Sequence, residues 1–187
     1  MCPSFGDHPL SVFYSATATY YAPSDATGIN GMHQEIVRAT PSWRNKGARY
    51  DCVFVNRKGQ LPGILGLDVA RLRLLFSFKY QGIVYPCAVV RWYWLTEDEP
   101  DEDTGMWVVK PAFFNIGRSN TRQPLLSVIH LNTIVRAAHL IGVYCGTRVP
   151  STVSNADSLD HFSTFYVNKF ADHHTFELLH TIPSDSQ

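Results

Sequence analysis

The 187-residue sequence is short of every feature that names a chemistry by itself. It has four cysteines, at positions 2, 52, 87 and 145, with no Cys-x-x-Cys among them. That spacing excludes a zinc knuckle and a dense disulfide framework, and leaves reduced, mostly buried thiols as the expectation. There is no G-x-S-x-G, no phosphate loop and no H-E-x-x-H. The first residues carry no Lys or Arg ahead of an apolar run, so a secretory leader is not signalled. The longest apolar run, 83–95, is 13 residues and includes Pro86 and Arg91, too short and too polar to span a bilayer. An intracellular protein, nuclear or cytoplasmic, is the expectation.

Net charge is also lacking, but only as a sum. The 16 Lys+Arg match 16 Asp+Glu, yet Glu97, Asp98, Glu99, Asp101, Glu102 and Asp103 fall within seven residues, so the rest of the chain sets 16 bases against ten acids. Between positions 38 and 58 six bases (Arg38, Arg44, Lys46, Arg49, Arg57, Lys58) face one acid, Asp51. Such a segment makes a positive field that attracts phosphate or an acidic surface.

What is present is a foldable core. Apolar residues make up 45% of the chain, well outside the disordered class, and the length suits one domain. Residues 1–30, rich in Ser, Thr, Ala, Pro and Gly, read as an irregular or disordered arm. A single β-rich domain is expected over 31–182, and a tail over 183–187. Residues 50–56 form a β-branched and aromatic run, the first strand on this reading. From 69 onward Ala70, Leu72, Leu74, Phe76, Phe78 and Tyr80 alternate with Arg71, Arg73, Ser77 and Lys79, the period of a half-buried strand. Gln81-Gly82 offers a hairpin turn. The return strand, 83–95, is apolar on both faces and predicts burial from two sides.

The acidic stretch lies between that strand and the β-rich "TGMWVV", so 96–105 reads as a long hairpin loop. Residues 125–131 and 135–144 read as two more strands parted by a turn at Asn132, although 134–141 also fit a helix. Leu159, Phe162, Phe165, Tyr166 and Phe170 fall at helical spacing after Asp157 and Ser158, predicting a terminal helix over about 158–180 that Pro183 ends. Many antiparallel strands followed by one helix indicate a mainly β (α+β) fold: a small, partly closed barrel or curled sheet with the helix laid on it.

Several constellations bear on chemistry. The acidic loop lacks the ligand intervals of a calcium loop. His173, Glu177 and His180 share a helical face and are a weak metal candidate, but two turns are a long span for one ion. Asp51 and Glu177 suit the outer positions of a two-metal nuclease triad, whose middle acid has no counterpart. Cys52, Cys87 and Cys145 lie in apolar strands, where burial makes a thiol inert. His130 and His139 read as core or edge histidines, each hydrogen-bonded once. Trp92, Trp94 and Trp107 flank the acidic loop and offer a cleft for a cationic ligand such as a basic histone-like tail, together with Glu97 to Asp103.

Five long phrases carry a resemblance: "YYAPSDATGINGMHQEIVRATPSWRNKGARYDCVFVN", "GLDVARLRLLFSFKYQGIVYPCAVVRWYW", "DEPDEDTGMWVVKP", "VIHLNTIVRAAHLIGVY" and "FSTFYVNKFADHH". Over about residues 20–174 the chain resembles the C-terminal segment of proteins encoded by Plavaka and related CACTA-type DNA transposons of basidiomycete fungi. The resemblance implies an accessory, non-catalytic module lying downstream of a transposase core, and no catalytic residue is carried over. In fold the chain also resembles bromo-adjacent-homology chromatin modules. The expected function is therefore a cofactor-free binding module that contacts DNA, a chromatin protein or the transposase core. On DNA, phosphates would meet Arg38, Arg44, Lys46, Arg49, Arg57, Lys58, Arg71, Arg73 and Lys79. The alternatives are a reader of basic peptides and a metal-dependent hydrolase.

Overall fold

The computed structural model describes residues 10–45, 47–57, 61–115, 121–144, 146, 153–154 and 157–180. The chain lays down β1 (Ser11–Phe13), β2 (Ser15–Tyr21), β3 (Met32–Thr40), β4 (Arg49–Tyr50), β5 (Cys52–Asn56), β6 (Leu67–Tyr80) and β7 (Ile83–Leu95). It continues with β8 (Trp107–Pro111), β9 (Phe113–Asn115), β10 (Arg122–Pro124), β11 (Leu126–His130), β12 (Ile134–Ala138) and β13 (Leu140–Gly142). Helix α1 (Ser158–His161), strand β14 (Phe165–Val167) and helix α2 (His173–Leu179) follow.

The β6–β7 hairpin is the spine. Its turn residues Gln81 and Gly82 have φ of 49° and 84°, the pair of positive angles that a two-residue turn matching strand twist requires. Neighbours add outward from it in the order β12-β5-β6-β7-β8-β14-β13, all antiparallel. Since only His139 separates β12 from β13, one stretch of chain pairs with both ends of the sheet and nearly closes it into a barrel. The fold is mainly β, as the alternating patterns predict. Beyond the ring, β1 extends β6 and β11 extends β7.

Two apolar layers result. Inside the barrel lie Phe54, Val69, Tyr93, Trp107, Val109, Phe165 and Val167, closed over by Ile64 and by Leu179 of α2. Outside, Val53, Val55, Ala70, Leu72, Leu75, Ala88 and Val90 pack under Val37 and Ala39 of β3 and Ala16 of β2. The middle strands are thus covered on both faces, which is why β7 shows no polar face.

The structure corrects four expectations. Residues 50–56 are β4 and β5 rather than the first strand, because the arm before them already forms β1 and β2, and β3 follows. In that arm Ala16, Ala18 and Tyr20 sit opposite Val37, Glu35 and His33 of β3 and face the barrel. The pattern is period two with small residues, which composition disguises as loop. In β6 the alternation breaks at Arg73: Leu72 pairs with Val90 and Leu74 with Val89, leaving Arg73 as the extra residue of a bulge. Leu72 and Leu75, three apart, therefore enter the same core, and Arg71 is buried. The continuous helix over 158–180 is instead α1, β14 and α2. Leu159, Phe162 and Phe165 do all reach the barrel core, but through different elements, because Phe165-Tyr166-Val167 fills the gap between β8 and β13.

The strand expected over 125–131 is β11, and the one expected over 135–144 is divided at His139 into β12 and β13; the helical alternative there is not found. Pro183, the tail 183–187 and the first nine residues lie outside the described residues. No described helix is long and apolar enough to cross a membrane.

Candidate nucleic-acid interface

Between β3 and β4 the chain turns over "PSWRNKG". Trp43 donates its backbone N–H to the Gly47 carbonyl at 2.7 Å, and Arg44 and Asn45 adopt φ of 50° and 59° to make the reversal. The loop projects arginines around its one indole. The guanidinium carbons of Arg38, Arg44 and Arg49 lie 4.2, 5.3 and 5.4 Å from the Trp43 ring centre. Cation–π contact of this kind holds a guanidinium in place while leaving its edge N–H groups available. Asp51 fixes the set, accepting from Arg49 Nε at 2.8 Å and from the Arg38 backbone N–H at 2.9 Å.

A second aromatic repeats the device: Tyr50 carries Arg73 at 4.8 Å and Arg71 at 5.9 Å. Arg73 reaches outward because the bulge frees it from the ladder. Four arginines (38, 44, 49 and 73) therefore gather on two aromatics with one carboxylate among them. Trp43, Arg44, Arg49 and Tyr50 also line a cavity of about 810 Å³ that reaches Arg71 and Arg136.

The remaining expected phosphate contacts are elsewhere. Arg57 stands at the opposite end of β5 from Asp51, where it pairs with Asp68 at 2.7 Å. Lys79 stands near the tip of the β6–β7 hairpin, six residues and roughly 20 Å along the strand from Arg73. Arg71 is a correction: it is buried in the barrel and bonded to Asp160, so it presents nothing to a polyanion at the surface. Lys46 and Lys58 lie outside the described residues.

The acidic stretch is a hairpin loop between β7 and β8, as its flanks predict. Asp101 organises it, accepting the hydroxyl and the backbone N–H of Thr104, and these bonds hold its carboxyl below the ordinary Asp value. Lys169 Nζ closes the far side on the Gly105 carbonyl at 2.6 Å. Glu97, Asp98, Glu99, Glu102 and Asp103 are exposed. The aromatic cleft expected beside them does not assemble. Tyr93 takes the inward position on β7, which turns Trp92 and Trp94 outward, while Trp107 on β8 is part of the barrel core. Trp92 is held by Ser127, its indole N–H 2.8 Å from the hydroxyl, so only Trp94 is left exposed.

His173 and Glu177 approach to 3.3 Å on α2, whereas His180 stacks on Phe176. Among the described residues no three His, Cys, Asp or Glu side chains converge as a metal ion needs. Asp51 stands among arginines and Glu177 accepts from Ser24, so the two carboxylates of the nuclease reading serve separate places. Burial pushes the Cys52 thiol up to about 12 and raises Cys87. Cys2 and Cys145 lie outside the described residues. His130 and His139 each accept or share one hydrogen bond, with Asn132 and Asn168.

Sequence reasoning missed the buried arginines. Arg136 on β12 forms a two-pronged bond with Asp172 at 2.9 and 2.7 Å, reaches Glu35 at 3.3 Å and lies over the Tyr20 ring at 4.4 Å. It also donates to His174 Nδ1 at 3.0 Å, with His174 stacked on Tyr20. The available signal was a lone Arg inside an apolar strand. Burial, and then Arg136, hold the His174 imidazole below its ordinary 6.5; Tyr20, His33, Asp172 and Glu177 also face it. A folded-state pKa below the unfolded one means stability present above pH 6.5 and lost as pH falls toward the folded value. Thermal melts from pH 8 to 5 should show that decline. In His174→Gln the decline should be shallower; equal slopes would remove His174 as its source.

No protein-family model, curated protein or solved structure matches the chain.

Proposed function

We propose that the chain is a binding module of a transposon-derived protein, and that the Trp43–Tyr50 arginine cluster holds nucleic-acid phosphates. The observation that carries this reading is the convergence of Arg38, Arg44, Arg49 and Arg73 on two aromatic rings, with Asp51 the one carboxylate among them. Guanidiniums already positioned by ring contacts lose little freedom on meeting a phosphate, and their fork geometry suits its oxygens. Arg44 in the turn and Arg73 at the bulge are exposed, as contact with a duplex backbone demands.

Binding of labelled duplex DNA, followed as salt is raised, tests the proposal. Each phosphate engaged contributes about 0.9 to the slope of log affinity against log salt. The double variant Arg44→Ala/Arg49→Ala should lower that slope by roughly two phosphates' worth and weaken binding at low salt. An unchanged slope removes the cluster from the interface.

A second reading, capture of a basic peptide, is favoured by the exposed Trp94 two residues before the acidic loop. A histone-tail mixture run in the same assay separates the two. Tail binding that survives the arginine double variant, and is lost when Glu97 to Asp103 are neutralised, assigns that role to the loop.

A further inference from the structure

The inner face of the barrel holds a second arrangement of arginines, apart from the four that gather on Trp43 and Tyr50 at the surface. β6 and β7 place Arg71 directly opposite Arg91. Like charges at opposed strand positions repel, and these are largely withdrawn from water, their side chains 3% and 15% exposed. One carboxylate serves both: Asp160 of α1, at 2.8 Å from Arg71 and 3.8 Å from Arg91.

The donors there outnumber the acceptors. Arg71 Nε, Arg91 Nε and the Tyr93 hydroxyl are buried with no hydrogen-bond partner among the described residues; the fourth such atom is Arg136 Nε. Tyr93 sits two residues from Arg91, on the same face of β7, and is 3% exposed. All three unpartnered groups can give a proton, and none is matched by an acceptor. Buried donors left in this state are costly, and a buried like-charged pair more so. Two cations against one anion, with a spare donor on each guanidinium, describe the complement of an oxyanion. A carboxylate brings two oxygens to such donors; a phosphate brings at least three and a larger charge.

We propose that Arg71, Arg91 and Tyr93 form a binding site for a small oxyanion of the phosphate class, which exchanges with the Asp160 carboxylate. Asp160 is suited to give way, being 49% exposed on a helix of four residues. Its neighbours Ser158 and Leu159, with Arg71, line the 810 Å³ cavity, so the Arg71 end of the site borders open space. The site shares no side chain with Arg38, Arg44, Arg49 or Arg73 and stands whether or not those residues bind nucleic acid.

The test is thermal melting of the whole chain in rising inorganic phosphate, against chloride at matched ionic strength. A ligand that binds only the folded state raises the melting temperature with a dependence set by its dissociation constant. Wild type should show a rise specific to phosphate, and Arg44→Ala/Arg49→Ala the same rise. Arg91→Gln and Tyr93→Phe should each weaken phosphate by about tenfold. Asp160→Asn, which removes the resident competitor, should melt lower without phosphate, recover with it, and bind it about tenfold more tightly. This last variant keeps the proposal falsifiable if the others fail to fold. Phosphate and chloride acting alike on wild type and Asp160→Asn would mean that water meets these donors, and would overturn the site. So would an Arg91→Gln response equal to wild type.

Discussion

Replacing Arg136 with Met should lower the stability of the fold by about 3–5 kcal/mol, the range for breaking a buried ion pair from one side. The size follows from how many segments meet at one guanidinium. Glu35 comes from β3, Tyr20 from β2 and Asp172 from the start of α2, while Arg136 itself stands on β12. Each partner has a second duty. Asp172 accepts the Thr175 N–H and so caps α2, and Glu35 accepts the Ala137 N–H of β12. Burial alone would raise the Asp172 carboxyl, yet the bonds from Arg136 and Thr175 hold it below the ordinary value. Removing the cation leaves two carboxylates facing each other at the edge of the core. For a chain of this length the melting temperature should fall by roughly 10 °C. Arg136→Lys should recover little, because a point charge cannot reproduce the two-pronged bond. A loss under about 1 kcal/mol in urea unfolding would show that the network adds nothing net, as some buried ion pairs do.

Phe165→Ala should cost a similar amount, about 3–5 kcal/mol, through the cavity left in the barrel. Phe165 is 1% exposed and meets Tyr93 and Phe162 edge-on, with ring centres 5.8 and 6.3 Å apart. Phe170, five residues on, is 63% exposed and meets Phe176 of α2 and the Lys169 ammonium. Phe170→Ala should therefore cost less than about 1 kcal/mol. One amphipathic helix over 158–180 would bury Phe170 on a stripe with Phe162 and Tyr166 and raise its loss toward that of Phe165. Denaturant unfolding of the pair decides between these arrangements, and equal losses would contradict β14.

These two sites mark where the sequence was legible and where it was not. Strands β5 to β8, the Gln81-Gly82 turn and the acidic hairpin loop follow from local pattern: period-two alternation, glycine at a reversal, charge between apolar runs. β14 does not, since three residues carry too little periodicity, and their strand state comes from unpaired neighbours on either side. The bulge at Arg73 was invisible for a related reason. Its position is set by the register with Val89 and Val90, and it decides that Arg71 points inward while Arg73 points out. The basic residues of the candidate interface were visible as a charge run. Their organiser was less so, although Trp43, a lone large aromatic in a polar turn with arginines on both sides, was the available signal. The Trp92, Trp94 and Trp107 set failed on parity, because Tyr93 claimed the inward place on β7.

The single residue between β12 and β13 carries a consequence for how the molecule is made. One half of that stretch pairs with β5, translated some eighty residues earlier, and the other with β14, which emerges about twenty-five residues later. A nascent chain halted before β14 holds β8 and β13 with bare backbone edges, the kind that recruit strands from other molecules. Truncation anywhere upstream of residue 165 should therefore yield insoluble material rather than a smaller folded unit.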